Sequence, residues 1–184
     1  MSKVTGGNAL IDPQIVVTKT QMGERMTVGD LGCGRTGHFV FPMASAVGEH
    51  GLVYAVDILK DVLANIERRA NQENIKQVKT VWSNLEIFGA TKIESSSLDI
   101  ALLINILFQS NKRSEIIREA TRLLKRGGKL LVIDWKKIAT PFGPSIEERL
   151  NKENLVAVCQ RFGLELMEEF SAGAYHFGIV FLKH

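Results

Sequence analysis

Short apolar runs alternate with amphipathic stretches along the chain, the pattern left in a sequence by a parallel sheet with helices on its faces. A first helix is predicted to start after Asp12, with Pro13 at its first position, and to run to about Thr20. A strand over 26–31 follows, then a glycine-rich turn and a helix over 38–47 that Gly48 ends. Pro42 near the first turn requires that helix to start late or to kink. A second strand covers 52–56, and Val62, Leu63, Ile66 and Ala70 mark one face of the next helix. A third strand covers 78–82, and Ser95-Ser96-Ser97 turns the chain into a fourth over 98–104. A helix over 112–125 carries Ile116, Ile117, Ala120, Leu123 and Leu124 at helical spacing; Gly127-Gly128 stops it before a fifth strand over 129–133.

The last third changes character. A loop with Pro141, Gly143 and Pro144 leads into a helix predicted over 146–162, with Gly163 just past its end. Two strands follow, 164–170 and 176–182, joined by Ser-Ala-Gly-Ala. A link so short requires an antiparallel pair. The pattern amounts to five βα units and a hairpin edge, one domain over 1–184 with a lead-in and helix over 1–25 and the core over 26–184.

Composition removes several function classes. In 184 residues, 45% are hydrophobic and 23% charged, ordinary for a globular domain. The net charge of +3 is spread along the chain, and Lys125-Arg126 and Lys136-Lys137 are too short to mark a nucleic-acid surface. Cys33 and Cys159 are 126 positions apart and the four histidines are scattered, so no metal site is expected. No apolar run reaches the roughly 18 residues of a membrane helix, and the first residues carry no apolar signal core, which points to a cytoplasmic setting.

Candidate chemistry begins at Gly32-x-Gly34-x-x-Gly37, between a strand and a helix, where glycines admit a ligand close to the backbone. Asp57, 20 residues past Gly37 at the end of the second strand, is placed to accept hydrogen bonds from ribose hydroxyls. These features alone suit a dinucleotide as well. Three others favour a sulfonium cofactor. Asp30 stands two residues before Gly32, where a carboxylate repels a pyrophosphate and attracts an ammonium group. The terminal hairpin is foreign to a six-parallel-strand dinucleotide domain, and no second domain remains for a hydride-transfer substrate.

Val28-Gly-Asp-Leu-Gly-Cys-Gly-Arg-Thr-Gly37, Val53-Tyr-Ala-Val-Asp57, Ser97-Leu-Asp-Ile-Ala101 and Leu123-Leu-Lys-Arg-Gly-Gly-Lys-Leu-Leu-Val-Ile-Asp134 stand in the order and spacing of class I S-adenosylmethionine-dependent methyltransferases. The chain resembles most the type 11, UbiE-like branch, from about Asp12 to Phe181. The resemblance implies a Rossmann-like, doubly wound α/β sandwich with a seven-stranded, mostly parallel sheet and an antiparallel last strand. It implies S-adenosylmethionine as cofactor, with Asp30, Gly32, Cys33 and Gly34 facing the methionine part, Gly37 closing the loop, Asp57 on the ribose and Ile58 against the adenine. Asn84 and Leu85 stand where the family usually has an acid that bonds the adenine amino group, which an asparagine carbonyl oxygen also accepts. Asn105 would close over the cofactor. The family often has His where this chain has Gln109, which removes one possible general base.

The acceptor is expected to be a small molecule. Asn105-Ile-Leu-Phe108 replaces the Asn-Pro-Pro-Tyr type motif of enzymes acting on exocyclic amines. The acceptor pocket should come from the first residues, the 134–147 loop and the final hairpin. Candidate catalytic groups are Asp134, a general base or a loop cap, and Tyr175 and His176, which either reach the substrate or only support the last strand. Cys33 is either a nucleophile or a small residue in a tight loop. A non-catalytic cofactor-binding adaptor and a dinucleotide-binding oxidoreductase domain are the alternative functions.

Overall fold

The computed structural model of the chain describes residues 7–184; the first six residues of the lead-in lie outside them. A 3-10 turn, Gly7–Leu10, precedes α1 (Pro13–Thr20). Then come β1 (Thr27–Leu31), α2 (Val40–Val47), β2 (Leu52–Asp57), α3 (Lys60–Gln72), β3 (Val78–Trp82) and β4 (Leu98–Ile104). The chain ends with α4 (Arg113–Leu123), β5 (Leu124–Trp135), α5 (Lys152–Arg161), β6 (Leu164–Ser171) and β7 (His176–Lys183). The local signals act as their chemistry requires. The Asp12 side chain caps α1 by accepting from the Gln14 N–H at 2.9 Å, next to Pro13 at the first helical position. α2 takes the late start, so Pro42 falls in its first turn, where a missing N–H leaves no helical bond unmade.

Two boundaries differ from expectation. β5 begins at Leu124, because its first residues pair with β4 across a bulge between Leu98 and Ile100. Gly128 is required there: a Cβ on it would stand 2.9 Å from the Lys125 carbonyl oxygen and 3.0 Å from that of Leu98. α5 starts at Lys152, not near 146, because Asn151 caps it by accepting from the Asn154 N–H at 2.8 Å. The preceding residues are held in turns around the buried Arg149.

The seven strands run in the order β3-β2-β1-β4-β5-β7-β6, parallel except for β7, which is antiparallel to both β5 and β6. Alternate residues of the central strands feed two cores. Ile100, Leu102 and Ile104 pack with Val28, Val40, Met43 and Ile66 under α1, α2 and α3. Ala101 and Leu103 pack with Leu130, Ile116, Leu123 and Cys159 under α4 and α5. Each fully buried aliphatic side chain contributes about 1.5–3 kcal/mol, which makes this two-sided burial the main support of the sheet. The strand order reverses between β1 and β4, and in such sheets ligands bind beyond the carboxyl ends of the strands at that point. Among the described residues no helix is long and apolar enough to cross a membrane, and no cluster of His, Cys, Asp or Glu could hold a metal.

Candidate functional site

A cleft of about 1290 Å³ opens at this reversal point, with Gly32, Gly34, Asp57, Ile58, Asn84, Leu85 and Asn105 in its wall. The glycine loop leaves β1 by turning under β2: the N–H groups of Gly32 and Cys33 both donate to the Val56 carbonyl, at 2.8 and 3.0 Å. Gly32 has φ +94°, and a Cβ there would stand 2.1 Å from Ile106 Cδ1, so no other residue fits. Asp57 fixes the loop from the next strand. One carboxylate oxygen accepts from the Gly34 N–H at 3.1 Å and the other from the Leu59 N–H at 3.0 Å.

Asp30, on β1 two residues before Gly32, lies behind the residues that line the cleft; it is 1% exposed, and its Oδ2 has no hydrogen-bond partner. Burial, and then the nearby Asp57 charge, push its carboxyl up to about 7. Cys33 beside it is buried, and burial together with the charges of Asp30 and Asp57 pushes its thiol up, so the loop holds a compact neutral side chain there and not a thiolate nucleophile.

Beyond β2 and β3 the wall turns apolar. Ile58 is 52% exposed, Leu85 is buried, and Asn84 caps its own turn by accepting from the Glu86 N–H at 3.0 Å. Asn105, after β4, holds a left-handed φ of 54°, a conformation asparagine tolerates better than most residues. Its Nδ2 donates to Asn8 Oδ1 at 2.9 Å, while its Oδ1 is buried and unpartnered. Asn8, in the Gly7–Leu10 turn, thereby reaches across the cleft. No local sequence signal marks it.

The weaker candidates separate. Asp134 is fully buried, with Oδ1 accepting from the Trp135 N–H at 2.8 Å and Oδ2 from the Phe108 N–H at 3.2 Å. Burial pushes it up to about 7 against those two hydrogen bonds and the Arg113 charge. That is the geometry of a cap on the loop after β4. Tyr175 packs edge-on against Phe142, ring centroids 5.0 Å apart. His176 is fully buried against Trp135, at 4.3 Å, and burial with the Lys136 and Arg149 charges lowers it to about 4, so its ring is neutral at neutral pH. Trp135 lines the cleft with Phe108, Pro141, Phe142 and Pro144. Its place at the carboxyl end of a central strand was the available signal.

An antiparallel β7 set between β5 and β6 is not the strand order of a dinucleotide domain, and an unpartnered carboxylate at the loop would repel a pyrophosphate. The class is an α/β domain for a nucleoside cofactor with a cationic end. The comparisons agree: the family model for a methyltransferase domain matches residues 23–171, and the chain belongs to that family. It is 28% identical over 106 residues to a demethylmenaquinone methyltransferase of Bacillus mycoides (strain KBAB4), covering 57% of this chain and 43% of that one. It is 27% identical over 125 residues to an aklanonic acid methyltransferase of Streptomyces sp. (strain C5), covering 67% and 52%. The chain thus spans about half the length of these curated relatives. The crystal structure of an S-adenosylmethionine-dependent methyltransferase from Aquifex aeolicus superposes with a TM-score of 0.86 at 24% identity, covering 98% of this chain and 94% of that one, and shows the same fold.

S-adenosylmethionine is the cofactor that goes with this family. The cleft suits it by its own polar atoms. Asp30 Oδ2 and Asn105 Oδ1 are two buried acceptors left without donors at the ends of adjacent strands, which suits an ammonium group.

Proposed function

We propose that this protein transfers the methyl group of S-adenosylmethionine to a small-molecule acceptor. The observation that carries this reading is the pair of unpartnered buried acceptors, Asp30 Oδ2 and Asn105 Oδ1, beside a cleft of about 1290 Å³ at the strand-order reversal. In this reading Asp30 and Asn105 bind the amino group, the Gly32–Gly34 backbone and Cys33 shape the floor, and Gly37 closes the loop. Asp57 turns its carboxylate to the ribose hydroxyls, while Ile58, Asn84 and Leu85 hold the adenine. The bound cofactor supplies an electrophilic methyl on a sulfonium. The protein supplies the position of the acceptor, and alignment of two bound reactants can account for about 7–11 kcal/mol of a barrier.

Two observations support a small acceptor. Pockets for single small ligands run from about 300 to 1,000 Å³, so this cleft has room for the cofactor and one further small molecule. Both curated relatives are also named for small-molecule substrates. The basic residues form no continuous stripe that would argue for nucleic acid. A general base matters only for an acceptor that is protonated at working pH. Asp134 is committed to two backbone N–H groups, which leaves Tyr175 and His176 as the candidates nearer the acceptor end. The two unpaired cysteines support a reducing, cytoplasmic setting.

Calorimetric titration of the full chain with S-adenosylmethionine and with S-adenosylhomocysteine tests the cofactor. Mass-spectrometric search for a methylated product in a metabolite extract tests the acceptor. Absence of heat and of any thermal shift at millimolar ligand, in a folded sample, would refute the reading.

A further inference from the structure

In the cofactor reading the adenine lies at the end of the cleft walled by Ile58, Leu85 and Ile116, and its 6-amino group is a hydrogen-bond donor. Enclosed by apolar side chains, that donor needs an acceptor from the protein. Most side-chain acceptors at this end are already engaged. Asn84 Oδ1, expected from the sequence to take the amino group, accepts from the Glu86 N–H at 3.0 Å and closes its own turn. The other terminal atom of that amide only donates, so it meets the amino group donor to donor. Ser83 Oγ is buried in a 2.9 Å hydrogen bond with Thr91 Oγ1. Ser110 Oγ accepts from the Lys112 N–H at 2.8 Å and lies 2.6 Å from Glu86 Oε1, to which it donates. Gln109 is turned back to donate to the Asn105 carbonyl.

Glu86 is the exception. Its N–H closes the Asn84 turn, while its side chain crosses to Ser110, which fixes Oε1 in the wall of the cleft. Oε2 faces Lys112 Nζ, 3.9 Å away and beyond hydrogen-bond distance, on a side chain that is 64% exposed. Water screens a pair of that kind. A carboxylate offers about four lone-pair sites, so Oε2 keeps its capacity to accept. Resting on the methyl-transfer reading above, we propose that Glu86 is the residue that selects adenine, its Oε2 accepting from the 6-amino group. Asn84 then serves as the turn that delivers Glu86, and Ser110 as the donor that orients it. Because a carboxylate cannot donate, the same placement disfavours a purine with a 6-oxo group.

Calorimetry on the full chain compares S-adenosylhomocysteine with its analogue that carries hydrogen in place of the 6-amino group, the purine ring nitrogens being unchanged. The ratio of the two Kd values within one protein cancels any general weakening that a substitution causes. The wild type should favour S-adenosylhomocysteine at least about tenfold, the worth of a hydrogen bond to a charged group. Glu86→Ala should bring the ratio close to one. Asn84→Ser keeps an oxygen for the turn but removes the amide, and should leave the ratio at about tenfold. Glu86→Gln can present an amide donor, and should bind S-inosylhomocysteine, the 6-oxo analogue, more tightly than the wild type does. A wild-type ratio near one, a ratio that survives Glu86→Ala, a ratio lost in Asn84→Ser, or no gain in Glu86→Gln would overturn the role of Glu86 and leave the methyl-transfer reading intact. Failure of a folded sample to bind S-adenosylhomocysteine would overturn both.

Discussion

Replacing Asp30 with asparagine should stabilise the ligand-free protein and damage cofactor binding, and both effects follow from the same carboxyl group. Burial, with Asp57 adding, raises its pKa from 3.8 to about 7. An acid whose pKa is raised by folding is held preferentially in its protonated form. Below about pH 4 it is protonated folded or unfolded and costs nothing. As pH rises from about 4 to 7 the unfolded chain ionises first, and stability is lost until the folded group ionises too. Three pKa units at 1.36 kcal/mol each set an upper bound of about 4 kcal/mol at pH 8. An amide cannot ionise but is still a buried polar group, so roughly half of that, about 2 kcal/mol, should be recovered. For a chain of this size that is a rise in Tm of about 4–8 °C. Thermal unfolding of both proteins without ligand should show this gain at pH 8 and almost none at pH 4.5. In calorimetry, Asp30→Asn should weaken S-adenosylhomocysteine by about tenfold or more, since a charge-assisted hydrogen bond contributes about 1.5–3 kcal/mol. The wild-type affinity should climb between pH 5 and 7, while that of the variant stays flat. An equal Tm difference at both pH values, or unchanged affinity, would refute the placement of a strained carboxyl beneath an ammonium site.

Other perturbations test other parts. Gly32→Ala forces a Cβ against Ile106 at a φ of +94°, and should cost about 1–3 kcal/mol of stability in unfolding experiments and abolish cofactor binding. Glu119 is fully buried, pairs with Arg122 at 2.8 Å and accepts from the N–H groups of Gly89 and Thr91. Burial alone would raise it, but these donors hold it at about 2, so its support is complete above about pH 4.5 and is lost as pH falls towards 2. Glu119→Ala should therefore cost about 3–5 kcal/mol at pH 7, a fall in Tm of about 10 °C, and much less near pH 2. Arg149 holds the 136–148 loop through the carbonyls of Lys136, Ile138 and Pro144 and through Thr140 Oγ1. A lysine cannot make that fork, so Arg149→Lys should raise the acceptor KM about three- to tenfold and leave the S-adenosylhomocysteine Kd unchanged. Equal changes in both constants would place Arg149 in the cofactor site.

The parts of the fold legible in sequence are those whose chemistry is local. β4 reads as a strand because Ile100 to Ile104 are apolar and buried on both faces, and α1 reads from Asp12 and Pro13 because a cap needs only residues two positions apart. The start of α5 was hidden because Ile146 and Leu150 continue the helical spacing, while the turns there are set by contacts from Arg149 to carbonyls 5 to 13 positions away. The order of the hairpin is a milder case. Its antiparallel sense follows from the short link, yet β7 is the inner strand because His176 to Phe181 are buried on both faces. β6, with Glu165, Glu168 and Glu169, is suited to an edge. At the site, the glycine loop, Asp30 and Asp57 are legible because strand, turn and acid follow one another in order. Asn8 is not, since its partner Asn105 lies 97 positions away and neither residue carries a local pattern.

The distribution of satisfied and unsatisfied polar groups separates scaffold from site. Buried groups that hold loops are fully engaged: Glu119 by Arg122, Gly89 and Thr91, Asp134 by two backbone N–H groups, Arg149 by the loop it anchors. Loose packing would scatter bare polar atoms through both cores. Among the described residues they fall on four side chains at the ends of β1, β4, β5 and β7, along one rim of the sheet. Each costs about 1–3 kcal/mol while bare, and each is repaid only by a ligand that supplies its missing partner. A ligand that supplies those partners should therefore stabilise the fold, and S-adenosylhomocysteine should do so through Asp30 and Asn105.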